Sequence, residues 1–276
     1  MSNVTIENPN LPIGVFDSGV GGLSVVREFF RQLPGEEIVY FGDTGRYPYG
    51  PRSAERVKIL AMENASFLMD FDIKMLVVAC NTASSVAIEL LAKRLPIPVI
   101  GVVRPGSYAA AKTTKTGKIG IIGTNATIAS GSYQRVLKAL NPNIQSFAKA
   151  CPLFVSLAEE GWTVGPVARM VAETYLADLR GAEIDTLILG CTHYPLLRSV
   201  ISDTMGATVT LIDSAESTVF QVGHILEDAD GLRTDGKQPE HRFIVSDAPE
   251  RFKEVGERFL EAPLPDVHKI SLEEKR

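Results

Sequence analysis

Met75-Leu76-Val77-Val78-Ala79-Cys80-Asn81-Thr82-Ala83-Ser84 divides into two halves of opposite character. Its first half is a short apolar run with no polar alternation. Such a run suits a strand buried on both faces, as in a parallel sheet covered by helices. Its second half turns abruptly polar and small, which suits a strand end passing into a helix. Five further runs read the same way: 13–16, 38–41, 119–122, 186–189 and 209–212. Helical patterns lie between them. Residues 53–70 begin after Pro51 with Ser53 as a cap, and Val57, Leu60, Ala61, Asn64 and Leu68 follow a 3.6-residue spacing. Residues 166–180 form a second such pattern, ended by Gly181. Alternating strands and helices predict a doubly wound α/β fold with right-handed crossovers.

The chain also repeats itself. Ile13-Gly14-Val15-Phe16-Asp17-Ser18 returns in style as Ile119-Gly120-Ile121-Ile122-Gly123-Thr124. The strand ending in Cys80-Asn81-Thr82 returns as the one ending in Cys191-Thr192-His193. The two offsets are nearly equal, which favours duplication of one α/β unit. Two similar units with parallel sheets, related by a pseudo-twofold axis, are therefore expected, with a cleft between them. The Pro-rich segment 96–105 marks the boundary. Residues 1–101 with 208–276 are expected to build the first domain, and 102–207 the second. The C-terminal part supplies strand 209–212, helix 215–226, a polar loop 227–240, strand 242–245 and a helix from Pro249. Residues 1–10 and 271–276 are expected to fray.

Composition narrows the function. The 276 residues are 45% hydrophobic and 22% charged, which excludes a disordered or fibrous chain. Lys and Arg number 28 against 33 Asp and Glu, a net charge of −5, so nucleic acid is not the expected partner. No signal-like N-terminus and no membrane-length apolar run is present, so the expected location is the cytoplasm, away from membranes. Three cysteines do not make a disulfide framework and leave thiols free for chemistry.

Ligands of parallel α/β sheets bind at the carboxyl ends of strands. That rule collects Asp17, Ser18, Asp43, Thr44, Cys80, Asn81 and Thr82, then Thr124, Asn125, Thr127, Cys191, Thr192 and His193. Two cysteines at equivalent strand ends place one thiol on each side of a cleft. Redox work would favour Cys-x-x-Cys, which is absent, and zinc would want more ligands than Cys191 and His193 supply. Nucleophilic catalysis needs one cysteine with His193. Two opposed bases suit removal of a proton from one face of a carbon and its return to the other, which is racemisation or epimerisation. The bland reading of a strand-end cysteine is a small buried hydrophobe, and Cys151 is left as one. The run Gly19-Val20-Gly21-Gly22 reads first as a tight strand–helix turn and second as an anion cradle. His224, His241 and His268 read as surface or packing residues, and Trp162 and Tyr133 as core or domain-edge aromatics.

At this point a family resemblance enters. Phe16-Asp17-Ser18-Gly19-Val20-Gly21-Gly22-Leu23, Gly42-Asp43-Thr44 with Tyr47-Pro48-Tyr49-Gly50-Pro51-Arg52, Ala79-Cys80-Asn81-Thr82-Ala83-Ser84, and Gly190-Cys191-Thr192-His193-Tyr194-Pro195-Leu196 resemble four motifs of bacterial glutamate racemases, in order and spacing. The resemblance implies a cofactor-independent, metal-free enzyme that interconverts L- and D-glutamate for peptidoglycan synthesis, commonly as a homodimer. It implies that Cys80 takes the proton of the D-isomer and Cys191 that of the L-isomer. It implies auxiliary acid–base roles for Asp17, His193 and Glu159, with Glu160 adjacent. Substrate contacts are implied at Asp17, Ser18, Tyr49, Gly50, Asn81, Thr82, Thr124, Thr127, Thr192 and His193. Aspartate racemases resemble Gly-Cys-Thr-Glu at the second cysteine motif, so His193 points to glutamate. Tyr47 departs from the usual small or apolar residue or cysteine, and Ser156 and Ala158 depart from the usual Pro and Val. Two other readings stay open: a thiol hydrolase using Cys80 with His193, and a binding protein on a racemase scaffold.

Overall fold

A computed structural model describes residues 5–271 of the chain. Among the described residues, ten strands form two sheets, and every pairing is parallel. The strands are β1 (Ile13–Asp17), β2 (Ile38–Gly42), β3 (Met75–Val78), β4 (Val99–Gly101), β5 (Lys118–Gly123), β6 (Gln145–Ala150), β7 (Thr186–Gly190), β8 (Thr210–Asp213), β9 (Arg242–Val245) and β10 (Val267–Lys269). The first sheet has the order β10-β9-β2-β1-β3-β4 and the second β6-β5-β7-β8. The second order repeats the β2-β1-β3-β4 portion of the first, so the internal repeat legible in the sequence extends to the strand order.

The apolar runs form the central strands. β1, β2, β3 and β7 are buried along their whole length, as an unalternated run covered on both faces requires. The helix at 53–70 is found as Ala54–Met69, with the Ser53 hydroxyl accepting from Arg56 N. The helices expected at 166–180, at 215–226 and from Pro249 are Pro166–Gly181, Ser214–Asp228 and Pro249–Leu260.

One boundary differs from expectation. The strand at 209–212 does not return to the first unit. β8 pairs with β7, so it completes the second sheet as β4 completes the first. The crossing back falls at Asp213–Ser214, where Asp213 caps the helix Ser214–Asp228 through Ala215 N at 2.8 Å. That helix packs on the first unit's helix Leu23–Gln32. The helix after β4, Val103–Thr113, packs instead on β7 and β8 of the second unit. The two crossing helices touch each other, and a Cβ on Gly106 would lie 2.8 Å from Ser214 Oγ.

Three strands were missed. β4 and β10 have three residues each, and β6 is a half-exposed edge strand with no apolar run. The fraying expected of the N-terminal ten residues does not hold where they are described. Pro9 O accepts from Lys74 Nζ at 2.6 Å, and Asn10 Oδ1 accepts from Thr234 N at 3.1 Å. Lys74 itself is buried in an ion pair with Glu36 at 2.6 Å. Residues 1–4 and 272–276 lie outside the described residues. Trp162, expected in the core or at a domain edge, is 58% exposed. No helix among the described residues is long and apolar enough to cross a membrane.

Candidate active site

Parallel register brings the strand-end residues together. Phe16 of β1 is level with Val78 of β3, so Ser18 and Cys80, each two residues further, are neighbours, with Cys80 Sγ 3.6 Å from Ser18 Oγ. Gly123 of β5 is level with Gly190 of β7, which sets Thr124 beside Cys191. The two strand-end clusters line one cavity of about 310 Å³. Its wall takes Ser18, Cys80, Asn81 and Thr82 from the first unit, and Thr124, Glu159, Cys191, Thr192 and His193 from the second. The loop before helix Ala54–Met69 adds Tyr47 through Pro51.

The units meet across this cavity through polar contacts. Thr82 Oγ1 and Thr124 Oγ1 are 2.9 Å apart, and Ala126 N donates to Gly50 O at 3.1 Å. A Cβ on Gly50 would come 3.1 Å from Thr124 Cβ, so the close approach needs glycine. The glycine run after β1 serves the same end. A Cβ on Gly21 would lie 2.6 Å from His193 Nδ1, so this turn lets the second unit's histidine close onto the first. Tyr49 is fixed from behind: its hydroxyl donates to buried Asp43 and accepts from Asn64 Nδ2 at 3.1 Å. Asp43 also binds Arg46 and Ser246. It is a structural hub and does not line the cavity.

The thiols sit in unlike settings. Cys80 caps the helix Asn81–Arg94, and burial, then the nearby Asp17 charge, push its thiol up to about 12 against the opposing Ala83 N–H and Ser18 hydroxyl. Cys191 is followed by a 3-10 turn, Tyr194–Leu197, so it has no comparable helix terminus. Its polar neighbour is His193, with Nδ1 3.8 Å from Sγ. His193 Nε2 lies 2.9 Å from Glu159 Oε1. Burial lowers the imidazole, but the hydrogen bonds to Cys191 and Glu159 outweigh it and raise it to about 10. An imidazolium between the Cys191 sulfur and the Glu159 carboxylate is the form this arrangement favours at neutral pH. Burial raises Glu159, and its bond and charge pairing with His193 more than reverse that. Glu160, the adjacent candidate, binds Arg251 at 3.0 Å instead.

Most of the expected site residues meet here. Asp17 and Thr127 do not line the cavity. Asp17 is fully buried behind it, with Oδ2 accepting from Gly19 N at 2.9 Å, and burial raises its carboxyl. Thr127 is buried behind Thr82 and Thr124, with hydroxyl contacts at 3.3 and 3.0 Å. The pairing of Cys80 with His193 that a thiol hydrolase would need is not made; His193 faces Cys191. Tyr133, read only as packing, accepts from Asn81 Nδ2 at 2.8 Å. Asn125, collected by the strand-end rule, also lines the cavity, as do Tyr47, Pro152, Val155 and Ser156, which that rule and the resemblance did not offer as contacts. Among the described residues, no group of three or more His, Cys, Asp or Glu is placed to hold a metal ion.

The profile of the Asp/Glu/Hydantoin racemase family matches residues 13–222. The chain belongs to this racemase family. A glutamate racemase of Geobacter metallireducens is 52% identical over 264 residues, covering 96% of this chain and 98% of that one. Among solved structures, a glutamate racemase isoform from Bacillus anthracis matches with a TM-score of 0.93 at 43% identity, over 96% of this racemase and 99% of its own chain. The glutamate racemase of Francisella tularensis in complex with D-glutamate matches with a TM-score of 0.91 at 38% identity, over 96% and 99%. This racemase thus stands among the glutamate racemases, isomerases that act on an amino acid.

Proposed function

We propose that the enzyme interconverts L- and D-glutamate without a cofactor, by proton transfer between two thiols and the substrate α-carbon. The observation that carries this reading is the placement of Cys80 and Cys191, one from each unit, on the wall of a single cavity. In the L-to-D direction, Cys191, acting as the thiolate beside the His193 imidazolium, accepts the α-proton as the C–H bond breaks. Cys80, whose thiol is pushed up to about 12, delivers its own proton to the other face of the carbon. The D-to-L direction exchanges the two roles. His193, held by Glu159, supports Cys191, and Asp17 acts on Cys80 from behind through its charge. Free N–H groups at the start of helix Asn81–Arg94 suit the substrate carboxylate, where charge gathers once the α-proton leaves. The D-glutamate complex of the Francisella relative supports glutamate as the substrate.

The reading extends to physiology. The D-glutamate made here supplies peptidoglycan synthesis, as the resemblance implies. The enzyme works in the cytoplasm, where reducing conditions keep its cysteines as the thiols the mechanism needs. It acts as a homodimer, for which the exposed Trp162, Val164, Val167 and Met170 offer apolar surface.

The test is isotope exchange in deuterated water, with each glutamate isomer supplied to wild type, Cys80→Ser and Cys191→Ser. Wild type is expected to deliver product of opposite configuration carrying deuterium at Cα. Each substitution is expected to lower turnover by about 10²-fold or more, because each thiol serves one face. Normal turnover by Cys191→Ser would leave a one-thiol reaction and refute the two-base scheme.

A further inference from the structure

Tyr47, the residue that departs from the family pattern before Pro48-Tyr49-Gly50, lies against the acid–base pair on the Cys191 side. Its ring stacks on the His193 imidazole, with centroids 6.3 Å apart and planes 21° from parallel. Phe259 meets the same imidazole edge-on at 5.1 Å, so the histidine is held between two aromatic rings. The Tyr47 hydroxyl interacts with the Glu159 carboxylate, the partner of His193 Nε2. Tyr47 is itself fixed. Its neighbours Arg46 and Tyr49 are both bound to buried Asp43, and a Cβ on Gly19 would lie 3.0 Å from its ring. Tyr47 and Glu159 are also the residues common to two cavities. Beyond them lies a second space of about 160 Å³, bordered by Gly19, Arg251, Phe252 and Val255.

We propose that Tyr47 is a positioning residue for proton transfer at Cys191, its hydroxyl holding Glu159 on His193 and its ring backing the imidazole. The proposal rests on the two-thiol reading. The titratable and charged groups around the pair are Cys191, Asp17, Tyr47, Arg251 and Glu160. Arg251 is the competitor. Its charge already acts on Glu159, and it borders the second cavity. Without the Tyr47 hydroxyl, Glu159 is free to turn toward Arg251. His193 then loses the carboxylate that keeps it charged and aimed at Cys191.

The experiment compares wild type, Tyr47→Phe and Tyr47→Val by two readouts. One is kcat and KM for both glutamate isomers from neutral pH upward. The other is a histidine NMR titration that follows His193. Tyr47→Phe keeps the ring and is expected to lower kcat about tenfold with KM little changed. The His193 titration should move down from about 10, and the alkaline limb of kcat should move down with it. Tyr47→Val also removes the ring, and both shifts should be larger. An unmoved His193 titration in Tyr47→Phe overturns the proposal, even if kcat falls evenly at every pH, because an even fall reports only looser packing. Failure of wild type to racemise glutamate would instead refute the functional reading, and the NMR titration would still decide whether Tyr47 governs the Glu159–His193 pair.

Discussion

His193 ties more of the site together than any other residue. It touches Cys191 with one ring nitrogen and Glu159 with the other, and it stacks on Tyr47. Its rise from 6.5 to about 10 has a consequence for stability. A group raised in the folded state stabilises fully below its unfolded value and loses that contribution as pH rises through the folded value. Unfolding by urea should therefore show stability falling between about 6.5 and about 10, and His193→Gln should flatten that slope. A slope that survives the substitution would assign it to another group. At this scale the sequence was legible where a motif names its own chemistry. Cys80, Cys191, His193 and Glu159, each singled out by its motif, all line the cavity. Asp17 and Thr127 were placed in contact with substrate, but they lie one layer behind, because a strand-end position fixes proximity and not the direction of a side chain. Tyr47 was visible only as a departure, and nothing local says that its ring reaches a histidine far along the chain.

Elements were legible in proportion to their burial. Runs covered on both faces declare themselves, since every position must be apolar. β6 lies on an edge with no residue fully buried, and β4 and β10 are too short to carry a pattern. β8 was recognised as a strand yet assigned to the wrong sheet, because its side chains do not encode which edge it joins. One polar residue anchors the base of the second sheet. Asp185, just before β7, accepts from Thr114 Oγ1 at 2.6 Å, from Lys115 N and Thr116 N at 2.7 Å each, and from Thr186 Oγ1 at 2.9 Å. Burial raises its carboxyl, and these bonds overcome that and hold it well below its usual value. A depressed group contributes above its unfolded value and is lost as pH falls through the folded one. Asp185→Asn should cost about 1–3 kcal/mol at neutral pH, with the deficit shrinking in acid. Denaturant midpoints across that range would check it. A constant deficit would mean that the carboxylate charge is irrelevant there.

At the scale of the whole molecule, the two units communicate through a buried polar path. Asn81 Nδ2 donates to Tyr133 OH at 2.8 Å, Tyr133 OH lies 3.3 Å from Ser214 Oγ, and Ser214 Oγ donates to Leu189 O at 3.3 Å. The path starts at a cavity residue of the first unit, passes the crossing at Ser214 and ends on β7 of the second unit. Tyr133→Phe leaves the Asn81 amide without its acceptor, at a cost of about 1 kcal/mol in stability and about a fivefold rise in KM. Initial rates and denaturation would read both, and an unchanged KM would remove Asn81 from substrate positioning. The duplication was legible as two cysteine contexts at matching intervals. The mutual exchange of crossing helices was not, since it depends on packing between residues far apart in sequence.

That exchange makes the molecule a mechanical linkage. The chain passes between the units twice, after β4 and after β8, and the two passages lie side by side where Gly106 approaches Ser214. Two adjacent connectors define a pivot line. Rotation about that line strains neither, whereas twisting one unit against the other shears both. A hinge opening of the cavity is therefore the motion these two connectors resist least.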